Sequence, residues 1–188
     1  MIVYLHGFNS SPASHKARLL EAAMRERGLG ECYRCPALPP RPDEAFRLIE
    51  QEIARAPSAP TLVGSSLGGF YATCLAERHG LRAVLLNPAV EPWEGLRAYL
   101  GPQRNLYTGQ TWELTEAELA QLHALAPERV DPERYLLIVE TGDELLDWRV
   151  TVRRYEGARM VIRHGGDHTL QSFPEHVARI LAFAGLCA

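Results

Sequence analysis

Apolar positions along this chain fall into two alternating patterns: short runs rich in β-branched and aliphatic residues, and longer stretches in which apolar residues return every three or four positions. Ile2 to Leu5 is the first run and ends at His6-Gly7. A helical pattern follows, capped at Ser14 and carrying Ala17, Leu19, Leu20, Ala23 and Met24 before Gly28. Glu31 to Cys35 reads as a second strand, halted by the proline-rich stretch Pro36 to Pro42. Asp43 then caps a helix with Ala45, Phe46, Ile49 and Ile53 on one face. Thr61-Leu62-Val63 runs into Gly64, Leu67 to Gly80 reads as helix, and Ala83 to Leu86 is an apolar strand ending at Asn87-Pro88. After a break, Tyr135 to Glu140 and Ala158 to Arg163 give two more strands, with helices at Asp147 to Glu156 and Pro174 to Ala184.

Six short strands alternating with amphipathic helices predict one doubly wound α/β domain over residues 1–188, with a mostly parallel six-stranded sheet in the order 2-1-3-4-5-6. Such a sheet binds ligands at the carboxyl ends of its strands, so the loops there are the expected seat of chemistry. Residues 91–132 interrupt the rhythm, with Trp93, Tyr99, Tyr107 and Trp112 scattered among polar residues and a single helix expected at Thr115 to Ala126. Thr115 and Glu118 have the capping-box spacing. This stretch is expected to form a small lid, its aromatic side chains either lining an acyl pocket or packing as core.

Composition narrows the picture without redrawing it. A chain of 188 residues with 46% hydrophobic and 23% charged residues has the makings of a core and gives no basis for disorder. The formal charge of −3 offers no basic field, which argues against nucleic acid as a partner. No apolar run approaches the ~18 residues of a membrane span, and the N-terminus carries no export signal. The four cysteines, at 32, 35, 74 and 187, are sparse and irregular, so a reducing cytoplasm is expected. Cys32 and Cys35 would face opposite sides of a strand, and no second pair completes a metal site, so neither metal nor cofactor is expected.

The loop after the third strand reads Gly64-Ser65-Ser66-Leu67-Gly68-Gly69, a G-x-S-x-G at a strand-to-helix junction. In a nucleophile elbow the glycines make room for a tight turn that leaves the central hydroxyl, here that of Ser66, exposed above the sheet edge. A serine needs a base, and the base an orienting carboxylate. Asp143 follows the fifth strand in Thr141-Gly142-Asp143-Glu144, and His168 follows the sixth in Gly165-Gly166-Asp167-His168, giving the order Ser…Asp…His of α/β-hydrolases. Asp147 is expected to serve instead as a helix N-cap. His164, at the strand end, is assigned to packing or surface. Acyl transfer also needs donors for an oxyanion, expected from the backbone N–H groups of Leu67 and of Phe8, with His6 tying down the Phe8 loop.

These blocks, together with Tyr4-Leu5-His6-Gly7-Phe8-Asn9-Ser10-Ser11-Pro12 and Leu86-Asn87-Pro88-Ala89-Val90, resemble the YqiA-type small bacterial serine esterases of the α/β-hydrolase superfamily. Asp167 stands where asparagine is usual in that family, and Phe70 where tyrosine is frequent. The resemblance spans nearly the whole chain. It implies a compact hydrolase that starts at the superfamily's third strand, with esterase or thioesterase activity on a small acyl substrate and no cofactor. Its rivals are a catalytically silent member of the fold used for binding, and a hydrolase of amides or peptides.

Overall fold

The computed structural model describes residues 1–186. In chain order it contains β1 (Ile2–Leu5), α1 (His15–Glu26), β2 (Tyr33–Arg34), α2 (Pro42–Arg55), β3 (Thr61–Ser65), α3 (Leu67–His79), β4 (Ala83–Leu86), α4 (Pro92–Leu96), β5 (Gly101–Arg104), β6 (Thr111–Leu114), α5 (Glu116–Leu125), β7 (Tyr135–Glu140), α6 (Trp148–Arg154), β8 (Arg159–Arg163) and α7 (Phe173–Phe183). Six of these strands form one sheet in the order β2-β1-β3-β4-β7-β8, and β5 and β6 form a separate antiparallel pair. Every pairing in the six-stranded sheet is parallel. With the hairpin strands set aside, this is the expected 2-1-3-4-5-6 order.

Strand alternation divides the core. Side chains of successive strand residues face opposite sides of the sheet. Val3, Leu5, Leu62 and Leu85 therefore join a cluster with Phe46 and Ile49 of α2, Phe70 and Tyr71 of α3, and Tyr155. Ile2, Tyr4, Val63 and Val84 turn the other way, onto Leu20 and Met24 of α1 and Val177, Ile180 and Leu181 of α7. The central helix α3 is buried from Leu67 to Ala76, which explains its lack of a polar face.

Several expected boundaries move, each for a local reason. Residues 30–32 form a 3-10 turn, which leaves only Tyr33 and Arg34 as strand at the sheet edge. Cys32 and Cys35 both pack against the α1 side of the core as free thiols, and burial pushes the Cys35 thiol up to about 12. Cys187 lies outside the described residues. Helix α2 begins at Pro42 with Arg41 as its N-cap, because the fixed φ of proline suits the first helical position; Asp43 sits one place inside, where its charge complements the dipole. Ser14 holds the N-cap position of α1, but its hydroxyl is buried without a partner among the described residues and makes no capping bond.

The segment 91–132 holds more than the single expected helix. A short helix α4 and the β5–β6 hairpin precede α5, whose Thr115 and Glu118 form the anticipated capping box. Leu122 of α5 is 1% exposed and belongs to the main core cluster. Trp93 packs edge-on against Phe70 and His123, Trp112 packs against Phe8, and Tyr99 and Tyr107 are exposed. The aromatics of this segment are thus divided among core, cleft and surface.

Candidate active site

At the β1/β3 boundary the chain winds away in both directions, leaving a crevice at the carboxyl ends of these strands. Ser66 follows β3 there, at φ 54° and ψ −120°, a backbone conformation that a side chain seldom accepts. The surroundings hold it in place. A Cβ on Gly64 would fall 2.2 Å from the Gly68 carbonyl oxygen, and one on Gly68 would fall 2.0 Å from the Leu5 carbonyl oxygen. Only glycine at both positions lets α3 start this close to the sheet.

The structure brings Ser66, His168 and Asp143 into one hydrogen-bonded chain. Ser66 Oγ lies 3.0 Å from His168 Nε2, and His168 Nδ1 lies 2.8 Å from Asp143 Oδ2. A carboxylate can only accept, so the imidazole proton sits on Nδ1 and Nε2 faces the serine hydroxyl as an acceptor. The Asp143 side chain is 2% exposed, and its other oxygen accepts from the backbone N–H groups of Leu145 and Leu146, each at 2.9 Å. Asp147 caps α6 by accepting from Arg149 N–H at 2.9 Å, and His164 lies exposed at the end of β8.

Neither Phe8 N–H nor Leu67 N–H donates to a protein acceptor among the described residues. Both residues line a cleft together with Leu38, Pro39, Tyr71 and Trp112. His6 stands behind this loop, 4% exposed. Leu38 N–H donates to its Nε2 at 3.0 Å, which leaves Nδ1 to donate to the Gly7 carbonyl at 3.1 Å. Burial holds its proton affinity below the ordinary imidazole value, against the pull of the Gly7 carbonyl. A neutral ring in that tautomer is what both bonds require. Among the described residues no group of three or more His, Cys, Asp or Glu side chains could hold a metal ion.

Two residues not singled out from the sequence for any role at the site hold the His168 loop. Asn87 Nδ2 donates to the carbonyl of Asp167 at 3.0 Å, and its Oδ1 accepts from Glu140 N–H at 2.9 Å. Glu140 is 1% exposed at the tip of β7. Its carboxylate accepts from the N–H groups of Asp167, Gln171 and Ser172 and from the Ser172 hydroxyl. Burial opposes the charge, but the bonds from Ser172, Asp167 and Gln171 outweigh it and hold the carboxyl below the usual range. The available signal was a lone charged residue closing an otherwise apolar strand.

Comparison with solved structures places the fold among the α/β-hydrolases. The chain superposes on mouse alpha/beta hydrolase domain-containing protein 10 with a TM-score of 0.75 at 15% identity, covering 95% of this chain and 87% of that one. It also superposes on the esterase domain of a Rhodothermus marinus protein with a TM-score of 0.68 at 16% identity, covering 97% and 85%. Within that fold class, the chain belongs to the uncharacterised protein family UPF0227, whose model matches residues 1–185. A UPF0227 protein of Shewanella sp. (strain ANA-3) is 28% identical over 194 residues, 97% of this chain and 98% of the relative. The resemblance to YqiA-type proteins seen in the sequence holds at this level.

Proposed function

We propose that the protein is a serine hydrolase that cleaves a small carboxylic ester or acyl thioester through an acyl-enzyme. The observation that carries this reading is the chain Ser66–His168–Asp143, with contacts of 3.0 and 2.8 Å, at a serine held at positive φ on a tight turn. The esterase domain among its structural neighbours supports the same chemistry.

On this reading Ser66 Oγ attacks the acyl carbon while His168 Nε2 takes the hydroxyl proton. The carbonyl oxygen becomes an oxyanion, which the free amides of Phe8 and Leu67 stabilise. His168 then gives its proton to the departing alcohol or thiol, leaving the acyl group on Ser66. Water, deprotonated by the same nitrogen, attacks the acyl carbon, and His168 returns that proton to Ser66 Oγ as the acyl–oxygen bond breaks and the carboxylic acid leaves. Asp143 keeps the ring in its productive tautomer and offsets the charge of the imidazolium. No helix among the described residues is long and apolar enough to cross a membrane. The sparse and irregular spacing of the four cysteines supports a reducing compartment such as the cytoplasm.

Kinetics with p-nitrophenyl esters and acyl thioesters test the proposal. Ser66→Ala and His168→Ala should each lower kcat by orders of magnitude, and the double variant should lose little more than either alone, because the residues act as one unit. Multiplicative losses, or turnover that survives Ser66→Ala, would count against it.

A further inference from the structure

The β5–β6 hairpin is tied to the segment that carries Phe8. Trp112 Nε1 donates to Asn9 Oδ1 at 2.9 Å, and Asn9 Nδ2 donates to Gln103 Oε1 at 3.0 Å. Asn105 Nδ2 donates to the Ser10 carbonyl at 2.8 Å, and Leu106 N–H to the Asn9 carbonyl at 3.3 Å. The Phe8 and Trp112 rings meet edge to face, their centroids 5.7 Å apart. Asn9 itself sits at φ 49°, in the left-handed region, so without these partners its backbone has more populated conformations to relax into.

We infer that the hairpin positions the Phe8 amide, with Asn9 and Trp112 as positioning residues that hold that donor on the oxyanion. The inference rests on the hydrolase reading above and adds a role that the reading does not need. His6 anchors the start of the loop through Leu38, but beyond Gly7 the chain crosses the crevice, and the hairpin supplies the ties. An oxyanion donor works only within a few tenths of an ångström of its target distance, and a lost donor costs about 10²–10³ in kcat. The hairpin that walls one side of the cleft thereby also sets its catalytic geometry.

Trp112→Phe keeps a ring against Phe8 and removes the Nε1 donor. Asn9→Gly keeps the left-handed backbone accessible and removes both side-chain bonds. Each should lower kcat for a p-nitrophenyl ester by about 10–100-fold, through misplacement of a donor, with KM within about threefold of wild type. Affinity for a trifluoromethyl ketone, whose adduct places an oxyanion between the two amides, should fall by the same factor as kcat, a coupling that a merely structural role would not produce. Glu113→Gln, at an exposed position of β6 outside these ties, should leave both quantities unchanged. Wild-type kcat and ketone affinity in both variants, or losses confined to KM, would overturn the positioning role while leaving the hydrolase reading intact. A wild-type protein that neither turns over esters nor binds the ketone would overturn the hydrolase reading, and this role with it.

Discussion

Asp143 meets the His168 ring with one oxygen and closes its own loop with the other, whereas Asp147 serves only the start of α6. On the proposed mechanism Asp143→Asn lowers kcat by up to about ten-thousandfold, because the wrong tautomer faces Ser66. It should change stability little, since the amide retains an oxygen for the Leu145 and Leu146 N–H groups. Asp147→Ala should cost about 1 kcal/mol and leave kcat near wild type. Steady-state kinetics and urea denaturation of both variants check the pair; the opposite pattern would move the acid to Asp147. Glycine spacing and strand ends sufficed to single out Ser66, Asp143 and His168. Gly142, just before Asp143, has no room for a side chain: a Cβ there would fall 2.4 Å from the Gly166 carbonyl oxygen, although its φ is not in the left-handed region. Glu140 and Asn87 stayed hidden because their partners in the His168 loop lie 27 to 32 residues on from Glu140 and 80 on from Asn87, beyond any local pattern.

Among the elements, the strongly periodic ones were legible to within a few residues, and the irregular ones were not. Strand β2 shrank to two residues because an edge strand against a proline-rich segment gains little from further pairing. The hairpin escaped notice because Gly101–Arg104 carries no apolar alternation in its sequence and only Trp112 and Leu114 of the facing strand are apolar and turned inward. Within 91–132, α5 differs from the hairpin in kind. Leu122 is nearly inaccessible within the core that also contains Phe70 and Leu85, and Glu118 reaches α2 through Arg41 at 3.0 Å. Leu122→Ala should therefore cost about 2–5 kcal/mol in one cooperative urea transition. A separate low-stability transition, or no loss, would mean that α5 moves as an independent lid.

The whole molecule follows from the alternation of strands with amphipathic helices, which is why the sheet order could be read before any contact was known; the pH response could not be, because it depends on burial. His6 and Glu140 both bind protons less readily when folded than their ordinary values of 6.5 and 4.5. The unfolded chain therefore takes up protons first as pH falls, so stability is lost on acidification, beginning below about 6.5 for His6 and below about 4.5 for Glu140. Each contributes at most about 1.4 kcal/mol per pH unit. Urea denaturation across this range should show the stability advantage of wild type over His6→Gln shrinking between about pH 7 and pH 5. An advantage that does not change with pH would place the His6 proton affinity near its ordinary value.

The most direct measurement of the central claim is the mass of the protein after reaction with a fluorophosphonate, followed by peptide mapping. A hydroxyl activated by His168 and facing two free amides should take up one phosphonyl group, at Ser66 and nowhere else, and Ser66→Ala should take up none. A protein that stays unmodified, or carries the group on Ser65 or Ser10, would contradict the account.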